Sequence, residues 1–153
     1  MSISRPPTRY QVARSGEYFV AAELYRRGAY AVPFADNMPH IDLMASNIDQ
    51  SRMVTIQVKT KRSGSWHTTI ERGQLREDEP NEARFWIFVE LVEIPRYYIV
   101  PEWWIQNDIH HAHQDYLNQH GGHRPRNSSS NHHSVSTKRI QQWHDRWDLL
   151  GIF

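Results

Sequence analysis

Residues 41–61, IDLMASNIDQSRMVTIQVKTK, decide the fold. Ile41 to Ala45 reads as a strand and Asn47 to Ser51 as a polar turn. Met53 to Lys61 alternates apolar and polar residues, the period of a half-buried strand. Val54, Ile56 and Val58 face one way; Thr55, Gln57 and Lys59 face the other. Joined by so short a turn, the two strands form an antiparallel hairpin. Gln57 and Lys59 share a face because they lie two apart. Asp42, set between Ile41 and Leu43, points away from its strand's apolar face, so the hairpin can place it near both.

Toward the N-terminus, Asp36 to His40 reads as a loop and Ala29 to Phe34 as a short strand. Before them lies a helix over about Arg9 to Arg27. Thr8 stands three residues before Gln11, the spacing of a capping box, and Gly28 is a good C-terminal cap. The residues ahead of it form a short loose arm. With Glu17 at zero and about 100° per residue, Ala13, Val20 and Leu24 lie within about 60° on one side, and Ala21 and Gly28 within about 40° on the other. Glu17 therefore sits mid-stripe, whereas Glu23 falls among Arg26 and Arg27. A carboxylate facing a core is costly unless it is paired or binds a metal. Glu17 thus has a buried basic partner, a place at the sheet edge, or a cation.

Toward the C-terminus, Ser63 to Gly73 fits no single pattern. Phe85 to Val92 is a continuous apolar run of strand length, expected centrally in the sheet. Pro95 ends it, and Tyr97 to Val100 is its expected hairpin partner. Pro101 opens a short helix through Gln106 or beyond. Residues 110–136 are polar and hold seven of the ten His, two adjacent Gly and a Ser-Ser-Ser run. A long loop or insertion is expected there. From Thr137 a last helix carries Ile140, Trp143, Trp147 and Leu150 at helical spacing. The order is helix, strands, helix: an α/β sandwich with a mixed sheet, residues 1–153 forming one domain.

The chain has 153 residues and no cysteine. That excludes disulfide scaffolds, cysteine nucleophiles, thiolate zinc sites and iron–sulfur clusters. No apolar run approaches a membrane span; the longest candidate carries Glu90. The start lacks an apolar signal core, so a soluble, cytoplasmic protein is expected. Net charge is only +1, but the 18 basic residues comprise 15 Arg and 3 Lys, and Arg is the residue of bidentate phosphate contacts. Between positions 52 and 62 there are four basic residues and no acid. Arg52, Lys61 and Arg62 are the first choice for phosphate contacts beside Lys59.

Asp42 stands 25 residues after Glu17 and 15 before Gln57. If helix and hairpin converge, two carboxylates, an amide oxygen and a lysine meet. Oxygen ligands suit a hard cation such as Mg2+, which polarises phosphate and acidifies bound water, while a lysine stabilises charge developing on phosphate. The bland alternative is an ordinary amphipathic hairpin with its polar side outward.

Three motifs carry a resemblance: Gly16-Glu17 through Gly28, then Ile41-Asp42-Leu43-Met44-Ala45, then Thr55-Ile56-Gln57-Val58-Lys59-Thr60. Together they resemble the PD-(D/E)XK nuclease superfamily, most closely its archaeal Holliday-junction-resolvase branch and related small nucleases. The resemblance covers about residues 8–62. It implies the restriction-endonuclease-like α/β/α sandwich with a central mixed β-sheet, and a metal-dependent endonuclease acting on DNA with Mg2+ or Mn2+. It implies Glu17, Asp42 and Gln57 as metal ligands, the Val58 carbonyl as a further ligand, and Lys59 as the catalytic lysine. Two positions depart from the pattern: Ile41 replaces Pro, and Gln57 replaces Glu or Asp, which removes one negative charge and lowers metal affinity. The rival reading is a degenerate nucleic-acid-binding or regulatory module of the same fold.

A third reading is a His-rich metal-binding protein, from His110, His111, His113, His120, His123, His132 and His133, although no acid or Cys completes a recognised spacing. Gln74 is a solvated loop residue or a nucleic-acid contact; Trp66 and His67 are packing residues or contacts to a displaced base. The remaining Trp residues are expected in the core or at a dimer surface. A homodimer suits duplex cleavage, which needs two cuts.

Overall fold

Thr8 accepts the Gln11 N–H at 3.2 Å while the Gln11 side chain accepts the Thr8 N–H at 2.9 Å. This reciprocal cap starts helix α1, Arg9–Arg26, and Gly28 at φ +95° turns the chain out of it. The computed structural model describes residues 4–122 and 130–153. The tip of the N-terminal arm and His123 lie outside them.

Strands β1 (Tyr30–Met38), β2 (Ile41–Ser46) and β3 (Met53–Lys61) follow as an antiparallel meander. β1 runs further than its sequence suggests. It takes in most of the expected loop at 36–40 and shifts register between Pro33 and Met38. An irregular, proline-bearing strand is tolerated because β1 is a sheet edge. The β2–β3 turn is pinned by Asn47, whose side chain accepts the Arg52 N–H and donates to the Ser51 hydroxyl.

A crossover carries β4 (Trp66–Thr69) and a 3-10 turn (Ile70–Arg72) to β5 (Arg84–Glu90), which lies parallel to β3. β5 then pairs antiparallel with β6 (Arg96–Pro101), the expected hairpin. The five-stranded order is β1-β2-β3-β5-β6. β5 is buried on both faces, which explains its unbroken apolar run. Phe85, Ile87 and Val89 join the core under α1, with Val20, Leu24, Leu43 and Ile56. Trp86 and Phe88 join the core on the opposite face, under Ile105 and Ile109 of helix α2, Glu102–Gln119. The architecture is the expected α/β/α sandwich with a central mixed sheet.

Two expectations need correction. Residues 110–136 are not one loop: α2 continues through Gln119, and His132–Val135 forms β7, paired antiparallel with β4. A helix needs only a narrow apolar stripe to dock; Ile105 and Ile109 supply it, and buried Asp108 is paired with Arg139 at 2.5 Å. The polar remainder of α2 made it read as a loop. The last segment is not an α-helix but two 3-10 stretches, Thr137–Trp143, kinked at Ile140, and Trp147–Leu150. Ile140, Trp147 and Leu150 are buried all the same. Among the described residues no helix is long and apolar enough to cross a membrane.

Candidate active site

β2 and β3 part at their open end, and Asp42 stands in the gap. The ladder's last rung is Leu43 opposite Ile56; beyond it the Val58 N–H donates to the Asp42 carboxylate at 2.7 Å. A residue's N–H and C=O leave a strand on the same side, so the Val58 carbonyl also points toward β2.

Gly16 brings α1 to this place. A Cβ on Gly16 would lie 1.8 Å from the Thr60 hydroxyl oxygen, so only glycine lets the helix lie so close to β3. The next residue, Glu17, is thereby lowered toward Asp42. Arg14 holds it at 2.6 Å and also reaches the Tyr18 hydroxyl. Burial and the neighbouring Asp42 push the Glu17 carboxyl up from the ordinary carboxylate range, against the pull of Arg14. Burial likewise pushes Asp42 up, opposed by the Val58 N–H, Lys59 and Arg14. Two carboxylates in this state create a local demand for positive charge.

Gln57 and Lys59 project from the face of β3 opposite α1. The Lys59 ammonium lies 5.8 Å from the Trp86 ring centre, and burial and then Arg72 weaken its hold on its proton while Asp42 strengthens it. Asp42 is thus the common neighbour, coupled to Glu17 on one side and Lys59 on the other. Gln57 is engaged elsewhere: its amide oxygen accepts from Arg72 at 2.7 Å. Arg72 also bonds His40 at 2.9 Å and Glu102 at 3.2 Å, and stacks over Trp86.

Arg14, Arg72 and Glu102 are missing from the sequence reading. Arg14 is legible as an i,i+3 partner of Glu17. Arg72 lies in the segment that fits no pattern, and nothing local ties it to Glu102.

Two of the expected phosphate contacts, Arg52 and Lys61, have partners within the protein. Arg52 precedes β3, roughly 23 Å of strand away from Lys59. Its guanidinium bonds the carbonyls of Leu150 at 2.8 Å and Glu82 at 2.9 Å. Lys61 is buried, with its ammonium on the Gly64 carbonyl, the Thr137 hydroxyl and Glu90. Arg62 is exposed beside Lys59 in an open cleft. Trp66 is a core residue donating to the Val89 carbonyl; His67 is exposed, and Gln74 is an exposed residue whose N–H bonds the Gln106 carbonyl.

The donor set is all oxygen, as a hard cation requires. Among the described residues no three His, Asp or Glu gather at one point. Glu17 and Asp42 are the two neighbouring carboxylates, and any further oxygen beside them is neutral. The Gln57 amide oxygen keeps a second lone pair beside the one that takes Arg72.

No family model and no curated protein matches this chain. Among solved structures it is similar to a bacterial homing endonuclease, I-Ssp6803I, at a TM-score of 0.53 and 12% identity, over 95% of this chain and 94% of that one. At that identity the likeness concerns the fold: the chain has a nuclease-like α/β fold.

Proposed function

We propose that the protein is a Mg2+-dependent endodeoxyribonuclease of the PD-(D/E)XK kind. The observation that supports this best is the parting of β2 and β3 around Asp42, with Glu17 lowered onto it by Gly16 and Lys59 on its other side. Glu17, Asp42, the Val58 carbonyl and Gln57 would hold the ion. When bound, Mg2+ or Mn2+ polarises the scissile phosphate and acidifies a water. Lys59 positions that water and stabilises charge developing on the phosphate. Arg14 and Arg72 orient Glu17 and Gln57. Two chains acting together suit cleavage of both strands of a duplex.

The test is incubation of the purified protein with linear, single-stranded and four-way-junction DNA in Mg2+ or Mn2+. Asp42→Ala and Lys59→Ala should each lower cleavage on the order of 100- to 1,000-fold. Cleavage that survives both refutes the site. The bond from Arg72 to Gln57 favours a second reading, a binding module that has lost catalysis, because it sets a fixed positive charge against the third ligand. Gln57→Glu separates the two: a working enzyme binds Mn2+ more tightly by calorimetry, whereas a binding module gains no cleavage.

A further inference from the structure

An open cleft of about 860 Å³ leads from Lys59, between the start of α1 and the turn after β3, to the β4–β7 ribbon. Arg9, Lys59, Lys61, Arg62, His67 and His132 line it, and none of its described lining residues is Asp or Glu. Lys61 is offset by Glu90 at 3.6 Å. Arg9 and Arg62 are exposed and have no ion-pair or hydrogen-bond partner among the described residues. Two exposed guanidinium groups on opposite walls of a concave surface focus a positive field. Ser63 and Ser65 add hydroxyl donors along the same wall as Arg62.

The charge lining the cleft suits a phosphate backbone. Its indole, Trp66, is 1% exposed and hydrogen-bonded inside, so it offers no stacking platform. Ala13, on the lining, lies one helical turn before Glu17. One end of the cleft therefore opens on the candidate site.

We infer that this cleft carries the sugar-phosphate backbone of a DNA duplex past Lys59, with Arg9 and Arg62 as phosphate contacts on its two walls. The inference rests on the nuclease reading for its choice of polymer. Contacts of this kind fix register on the duplex without reading sequence.

The experiment measures binding of the full chain to fluorescein-labelled duplexes of several sequences in EDTA, across a sodium chloride series. The Arg9→Gln/Arg62→Gln variant should weaken binding uniformly across sequences and reduce the slope of log K against log salt by about 2. Arg146→Gln, whose side chain pairs with Asp148 outside the cleft, should leave the slope unchanged. A full slope in the double variant, an equal loss in the Arg146 variant, or no binding by the wild type overturns the inference. If the slope falls as expected but the wild type cleaves nothing in Mg2+, the cleft stands and the nuclease reading falls. If the wild type cleaves while the double variant keeps its slope, the cleft alone is wrong.

Discussion

Arg72 donates to Gln57, His40 and Glu102 while lying 4.5 Å from the Trp86 ring centre. Glu102 is 6% exposed, and its other cation, Arg84, stands 3.8 Å away. Removing one member of such a buried pair costs about 3–5 kcal/mol, so Arg72→Met should lower stability on that scale in urea denaturation. Arg72→Met/Glu102→Gln removes the stranded charge and should recover most of the loss. Cleavage should stay about 10- to 100-fold down in both variants, as when a ligand loses the partner that orients it. Recovery of stability and cleavage together would make Arg72 a purely structural residue. Glu17 offers the opposite test. Its folded-state carboxyl is raised by burial and by Asp42, so the native chain holds protons that the unfolded chain has released. Stability without metal therefore falls as pH rises from the ordinary carboxylate range through the raised one. Glu17→Gln abolishes that titration and should flatten the pH dependence of stability in the chelator-treated protein, read by urea denaturation across pH, while cleavage is lost.

At the scale of elements, the site depends on how closely α1 lies on β3. Gly16→Ala places a methyl 1.8 Å from the Thr60 hydroxyl and 2.9 Å from its Cβ and Cγ2. Overpacking of this kind costs about 1–3 kcal/mol, and the helix must lift, taking Glu17 with it. Thermal denaturation should report that loss, and cleavage should fall further than stability alone explains. Thr60→Ala in the same chain removes the worst contact and should restore part of both. Gly16 was visible in the motif, but its reason was not, because Thr60 belongs to a distant strand. What was legible is local in origin. The Thr8 and Gly28 caps bounded α1, and the Asn47–Ser51 turn and the alternation of Met53–Lys61 specified the hairpin. What was not legible depends on tertiary pairing. The His-rich end of α2 looks like loop until Asp108 finds Arg139, and the Trp147 turns look helical because apolar spacing survives in 3-10 geometry. Asp42, Glu17 and Lys59 were legible as neighbours through strand and helix periods, whereas the hold of Arg72 on Gln57 needed the crossover in place.

On the scale of the whole molecule, the sheet carries a core on each face, and the two are closed by different parts of the chain. The core under α1 is completed by Trp147, Leu150 and Ile152 from the C-terminal end. Arg52 fastens that end: Nε bonds the Leu150 carbonyl and Nη2 the Glu82 carbonyl, so one guanidinium joins the β2–β3 turn, the approach to β5 and the C-terminal turns. The Trp147 ring lies 5.2 Å from Tyr97 and 4.9 Å from the Arg27 guanidinium, which makes this closure a cooperative patch and not a loose tail. Arg52→Ala removes two hydrogen bonds from a charged donor, each worth about 1.5–3 kcal/mol, and unpins the C-terminal turns. The variant should unfold at lower temperature and show faster amide exchange at Leu150 to Ile152, yet bind duplex DNA in EDTA as tightly as the wild type at a temperature where both are folded. Arg52→Lys should not rescue it, because an ammonium cannot serve two carbonyls through a rigid fork. Arg62→Gln should do the reverse, weakening DNA binding and leaving unfolding alone. If Arg52→Ala instead weakens DNA binding and spares stability, the division between fastening and phosphate-binding arginines is wrong, and the basic run from 52 to 62 acts as one surface after all.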